Sequence, residues 1–124
     1  MSNTISLTAD NFSEIVDKNK LVLIDFWAGW CGPCKSFAPV FEAAADNNPD
    51  IVFAKVDTEN AQDLAAQFQI RSIPTLMVFK EQIVVFSQAG ALPASSLDQL
   101  IEQAKSLDME TVRTDIDNRQ QAEG

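Results

Sequence analysis

Histidine is absent from this 124-residue chain, and cysteine occurs only twice. Two cysteines alone cannot build a structural zinc site, which takes four Cys or His ligands. The same absence excludes Cys–His and Ser–His–Asp hydrolases in their usual form. Any proton transfer is left to a carboxylate, a lysine, a thiol or water. Basic residues are scarce as well: 9 Lys and Arg stand against 18 Asp and Glu, for a net charge of −9. Phosphate binding needs clustered cations, so nucleic acid and anionic membrane are excluded as partners. Apolar runs such as 21–24 are far too short to span a bilayer. The first ten residues have neither a basic start nor an apolar stretch, so no secretory signal is expected and a cytoplasmic location is. No repeat or long low-complexity stretch occurs. The remaining composition, 46% hydrophobic and 22% charged, is that of an ordinary globular protein of one domain.

Residues 8–19 carry Phe12, Ile15 and Val16 at helical spacing, with Thr8 as N-cap. Leu21–Trp27 is apolar except for Asp25, as in a strand covered on both faces. A helix is expected over 31–47, bent at Pro39 where a backbone donor is missing. A second strand is expected over 51–57, then a helix over 60–68 with Leu64, Ala65 and Phe68 on one side. Thr75–Lys80 and 83–88 read as an antiparallel hairpin. A last helix, 94–107, places Leu97, Leu100, Ile101 and Ala104 on one face. Strands alternating with helices, then a hairpin and a helix, imply an α/β fold with a mixed sheet. The domain is expected to span 1–107. Beyond it, 108–124 is polar, with only Met109, Val112 and Ile116 as larger apolar residues, and is expected to be a flexible tail. An extension of the last helix by a turn or two is the alternative.

Cys31-Gly32-Pro33-Cys34 follows directly on a strand and opens a helix. Residues three apart on a helix lie nearly above one another, so the two sulfurs can meet and bond. The helix N-terminus offers unpaired N–H groups and a positive dipole end, both favouring a thiolate at Cys31, the attacking species in disulfide exchange. Pro33 suits a first turn that needs no N–H there. Cys34, one turn in, is expected to be more covered and to resolve the mixed disulfide, with Cys31 exposed. Two buried core cysteines, or half of an intermolecular metal site, are the alternatives. Asp25 shares a strand face with Leu21, Leu23 and Trp27, while Val22, Ile24 and Phe26 line the other. A carboxyl buried there has a raised pKa and, without histidine, is a candidate proton acceptor for Cys34; a purely structural role is the alternative. Lys55 shares a face with Ile51, Phe53 and Asp57, and either pairs with an acid or snorkels from an edge. Lys35 reads as solvated.

The stretch Trp27-Ala28-Gly29-Trp30-Cys31-Gly32-Pro33-Cys34-Lys35 resembles the active-site signature of the thioredoxin family. Asp25 two residues before Trp27, Ile73-Pro74-Thr75 ahead of the hairpin and Gly90 after it agree with that resemblance, which runs from about residue 4 to 107. It implies a thioredoxin-like α/β fold, a central mixed sheet flanked by helices on both faces, and reduction of protein disulfides. It implies that Asp25 exchanges a proton with Cys34 through a water, and that Lys55 lies beside Asp25 and tunes it. Most X–Pro bonds are trans, but the resemblance implies a cis Pro74 packed against the disulfide, exposing the Ile73 backbone to an extended substrate segment. Trp30, Gly32, Pro33, Ile73, Gly90 and Ala91 are expected to form a flat apolar rim around Cys31, with Trp27 supporting it from the core. By the same analogy Gly90 keeps that surface open. The implied partners are disulfide-containing proteins and a flavin-dependent thioredoxin reductase fed by NADPH. No cofactor is expected on the chain, which is expected to act as a monomer.

One departure stands out. The family usually has Asn-Gly or Asp-Gly at the hairpin turn, where this chain has Glu81-Gln82, and a strained or altered turn is expected. Two other functions stay open: the same fold as an oxidant or isomerase, and a non-redox docking module using the apolar rim. The Gly-Pro dipeptide resembles reducing members.

Overall fold

The computed structural model describes residues 3–123, so residues 1, 2 and 124 of the expected domain and tail lie outside the described residues. Chain order is β1 (Thr4–Ser6), α1 (Phe12–Lys18), β2 (Leu21–Trp27), α2 (Gly32–Asn47), β3 (Val52–Asp57), α3 (Gln62–Gln67), β4 (Thr75–Lys80), β5 (Ile83–Ala89), α4 (Ala94–Ser106) and α5 (Met109–Glu123). The five strands form one sheet in the order β1-β3-β2-β4-β5. β1, β3 and β2 run parallel, and β4 and β5 continue antiparallel, so the sheet is mixed as expected.

Alternation along the strands divides the core in two. Leu23, Phe53, Leu76 and Val78 pack with Phe37 and Phe41 of α2 and with Leu97 and Ile101 of α4. Val22, Ile24, Phe26, Val56 and Met77 pack on the other face, with Val16 of α1 and Leu64 of α3. A fully buried Phe or Leu contributes about 1.5–3 kcal/mol, and with both faces covered β2 can be continuously apolar. Asp25, next to Leu23 on its face, therefore points toward the layer of α2 and α4. α2 continues unbroken through Pro39, which is solvent-exposed.

Two local readings are corrected, one short strand is added, and the strain expected of the hairpin turn is present. α1 starts at Phe12, not near Thr8, and Asn11 at its N-cap position makes no side-chain cap bond. Thr8 instead closes the preceding turn: its N–H donates to Asn11 Oδ1 at 2.8 Å, and its carbonyl accepts from Phe12 at 3.1 Å. The short β1 has no counterpart in the sequence reading, because three residues carry no periodicity. The hairpin turn keeps positive φ at both Glu81 (50°) and Gln82 (70°), so two non-glycine residues carry the strain.

The second correction concerns the residues beyond 107: Met109–Glu123 form a helix rather than an irregular tail, and a separate helix rather than an extension of α4. Leu107, with φ −64° and ψ 129°, is extended and ends α4. Asp108 then caps α5: the Glu110 N–H donates to Asp108 Oδ1 at 3.0 Å, and the Thr111 hydroxyl donates to Oδ2 at 2.8 Å. Those bonds hold the Asp108 carboxyl below its ordinary pKa. Met109 is buried, and Arg113 pairs with Glu81 of the hairpin turn. Beneath this junction lies Lys80, a buried lysine at the end of β4. Its ammonium donates to the carbonyls of Ala104 (2.6 Å), Lys105 (2.9 Å) and Leu107 (2.9 Å). A cation there satisfies orphan carbonyls at the negative end of α4.

Candidate active site

β2 ends at Trp27, and a short turn leads into α2. Cys31 N–H donates to the Ala28 carbonyl at 3.2 Å, and Cys31 itself, extended at φ −88° and ψ 115°, is the N-cap of the helix. Its sulfur accepts the backbone N–H of Cys34 at 3.2 Å, the role a capping oxygen plays elsewhere. The two cysteines are disulfide-bonded, with Cα atoms 5.2 Å apart. The N–H to sulfur contact and the helix N-terminus both favour negative charge on Cys31 once the bond is reduced. Burial does not distinguish the pair as expected: Cys31 is 4% exposed and Cys34 3%. Both sulfurs are shielded in a small cluster with Ala28, Trp27 and Ile73. The two cysteines therefore differ by position in the helix, cap against first turn, rather than by exposure.

The Ile73–Pro74 bond is cis. The Ile73 carbonyl oxygen lies 3.7 Å from Cys31 Sγ, which puts this loop against the disulfide. Pro74 is buried, and its carbonyl accepts the Gly90 N–H at 2.8 Å, joining the ends of β4 and β5. Gly90 has φ 105°, a conformation that side-chain-bearing residues rarely adopt, and a Cβ there would meet no atom of the chain within 4 Å. Its glycine is thus required by the backbone and leaves open surface above it. Gly32, Pro33 and Ala91 are exposed, and Ile73 is half-buried. Trp30 is 70% exposed and turns away from the sulfur cluster: its indole N–H donates to Glu59 Oε1 at 2.5 Å. Ile73 is thus brought to Cys31, with Pro74 next in the chain and bonded to Gly90, while Trp30 is anchored to the loop after β3. Glu59 was not legible, since nothing in its neighbourhood marks it as facing an indole 29 residues away.

Asp25 is fully buried, and neither carboxyl oxygen has a hydrogen-bond partner among the described residues. Burial raises its pKa from 3.8 to about 6; the positive charge of Lys55 lowers it, and the negative charge of Glu42 raises it. Lys55 is the register partner of Asp25 across β2 and β3, so the two share a sheet face. The Lys55 ammonium, however, lies 3.8 Å from Glu42 Oε1 and 5.2 Å from the centre of the Trp27 ring. The Trp27 ring thereby carries the lysine on its face. A cavity of about 200 Å³, lined by Trp27, Ala28, Cys34, Lys35 and Lys55 among others, runs between Cys34 and Lys55. It is large enough for water. Among the described residues no His, Cys, Asp and Glu cluster could hold a metal ion, and no helix is long and apolar enough to cross a membrane.

This chemistry has close counterparts. A profile of the family described as Thioredoxin matches residues 3–103. A putative thioredoxin 2 of Streptomyces coelicolor is 54% identical over 124 residues, covering 100% of this chain and 92% of its own. Thioredoxin C-2 of Corynebacterium nephridii is 45% identical over 106 residues, covering 83% and 98%. Among solved structures, a mutant thioredoxin from Halobacterium salinarum superposes with a TM-score of 0.79 at 31% identity, over 86% of this chain and 96% of that one. A thioredoxin of Plasmodium falciparum gives 0.75 at 38% identity, over 81% and 98%. With a disulfide at a helix N-terminus already in place beside a cis proline, the chain belongs to the thioredoxin family and is a thiol–disulfide oxidoreductase whose redox pair is Cys31 and Cys34.

Proposed function

We propose that the pair reduces protein disulfides with divided roles. The Cys31 thiolate attacks one sulfur of the substrate disulfide, forming a mixed disulfide and releasing the other substrate sulfur as a thiolate that takes a proton. Cys34 then gives its proton to the Asp25 carboxylate, through water in the cavity that Cys34 and Lys55 share. The Cys34 thiolate attacks the Cys31 sulfur, the second substrate thiol leaves, and a Cys31–Cys34 disulfide remains. Two electrons and two protons have passed to the substrate. Asp25 serves as the proton acceptor and Lys55 tunes it. The observation that carries this reading is Asp25 itself: a buried carboxyl with a pKa of about 6 and no hydrogen-bond partner among the described residues, in a chain without histidine.

The Ile73 backbone beside Pro74 is the edge on which an extended substrate segment would pair. Trp30, Gly32, Pro33, Gly90 and Ala91 would form the surrounding contact surface. The electron source is a flavin-dependent thioredoxin reductase fed by NADPH, in the cytoplasm, acting on a monomer of this chain. The test is a pair of variants. Cys34→Ser should accumulate a stable mixed disulfide through Cys31, and Cys31→Ser should form none and fail to accelerate insulin-disulfide reduction by dithiothreitol. A mixed disulfide formed through Cys34 in the Cys31→Ser protein, at the wild-type rate, would reverse the assignment.

A further inference from the structure

Glu42 plays no part in the steps above, yet it stands beside the groups that do. It lies one turn beyond Ala38 on α2, and Ala38 lines the same cavity as Cys34 and Lys55. Its Oε1 accepts the Thr4 hydroxyl of β1 at 3.0 Å and lies 3.8 Å from the Lys55 ammonium. Both charged side chains are largely shielded, with 32% of Glu42 and 20% of Lys55 exposed. Attraction between them is therefore stronger than at an open surface.

Asp25 has few other charged neighbours. β3 presents Lys55 at its register position and β4 presents the apolar Leu76. α2 contributes the charge of Glu42, and α4 packs against this sheet face through apolar residues such as Leu97 and Ile101. The Lys55 ammonium is thus the one cation among these neighbours. It is held toward Glu42 and the face of Trp27, and it bonds neither oxygen of Asp25.

We propose that Glu42 is a positioning residue for proton transfer: its carboxylate draws the Lys55 ammonium toward α2, so that Asp25 keeps no direct cationic partner and can both take and return a proton. The inference rests on Asp25 being the proton acceptor. An ammonium bonded directly to a buried carboxylate would lock it in the ionised form, because opposite charge at close range favours ionisation. A carboxylate so locked takes a proton from a thiol poorly. The directions of the two charge effects on Asp25, lowering from Lys55 and raising from Glu42, agree with this arrangement.

The experiment is a titration of the Asp25 side-chain carboxyl by carbon NMR in the oxidised full-length protein. Four proteins are compared: wild type, Glu42→Gln, Lys55→Gln and the double variant. Glu42→Gln is expected to lower the Asp25 midpoint by about one pH unit, and Lys55→Gln to raise it. In the Lys55→Gln background, removing Glu42 should move the midpoint by less than half as much. Glu42→Met, which removes the charge with a different shape, should repeat the first shift if the glutamine variant folds poorly. An unchanged midpoint in Glu42→Gln overturns the proposal. So does an equal shift in both backgrounds, which would mean that Glu42 acts on Asp25 directly and not through Lys55. The pH profile of mixed-disulfide resolution, measured on the same proteins, separates the two readings. If the Asp25 midpoint moves as expected and the rate profile does not follow, positioning by Glu42 stands and the proton-acceptor role of Asp25 fails.

Discussion

Asp25 and Lys55 are direct register partners in adjacent parallel strands, yet no hydrogen bond joins them. The lysine faces Glu42 and Trp27 instead. An unpaired carboxyl in the middle of a sheet destabilises the fold whenever it is charged. Its retention beside a redox disulfide is the kind of local conflict that functional sites carry.

A first consequence concerns rate. Asp25 accepts a proton only when ionised, so resolution of the mixed disulfide should rise with pH through about 6 and level off above it. Asp25→Asn should lose that rise and slow resolution at pH 7 by about tenfold or more. Stopped-flow release of substrate thiol from a preformed mixed disulfide measures it. An unchanged profile in the variant would reject the role.

A second consequence concerns stability, with the opposite sign. The folded pKa, about 6, lies above the ordinary 3.8. Between these values the native state binds more protons than the unfolded chain, so stability falls as pH rises through this window. Below 3.8 both states are protonated and nothing is lost; above 6 the loss is complete, at about 3 kcal/mol. Asp25→Asn cannot ionise. It should be more stable than wild type by about 1–3 kcal/mol at pH 8, with the difference closing toward pH 3.5. Urea unfolding at the two pH values tests this.

What was legible in the sequence was what repeats locally. β2 came out to the residue because its apolar run must be buried on both faces, and the Cys31-Gly32-Pro33-Cys34 turn came out because its spacing and its proline suit a helix start. Asp25 was conspicuous as the lone charge in that strand. The rest depends on groups distant in the chain. Lys80 reads as an ordinary residue at a strand end; only the return of α4 puts three carbonyls around it. Glu42 is one acid in a helix, 13 residues from the lysine it faces, and no periodicity links them. The exposure expected of Cys31 failed because Ile73, 42 residues on, folds over the disulfide.

Lys80 gives the third prediction. Replacing it by Met keeps most of its volume but leaves the carbonyls of Ala104, Lys105 and Leu107 without their donor. Each unmet buried acceptor is costly, and the variant should lose about 2–4 kcal/mol. Catalysis should be unchanged once folded, because Lys80 and the Pro74 loop lie at opposite ends of β4, about 17 Å apart. Equal losses in stability and in turnover per folded molecule would contradict this separation.

The fate of α5 follows from the same junction. A chain ending at Leu107 would lose the buried Met109 and the Arg113–Glu81 pair, and would place a terminal carboxylate beside the Lys80 ammonium. Loss of a buried methionine outweighs an exposed ion pair, which contributes at most about 1 kcal/mol. The new carboxylate recovers part of the difference by pairing with Lys80. The shortened protein should therefore be less stable by about 1–3 kcal/mol while reducing insulin at the full-length rate. Arg113→Ala in the full chain should cost under about 1 kcal/mol, since it removes the ion pair alone. A shortened chain as stable as the full one would show that α5 is not part of the cooperative unit. A shortened chain that is stable but slow would place α5 in substrate recognition, although its Arg113–Glu81 pair lies at the Lys80 end of β4.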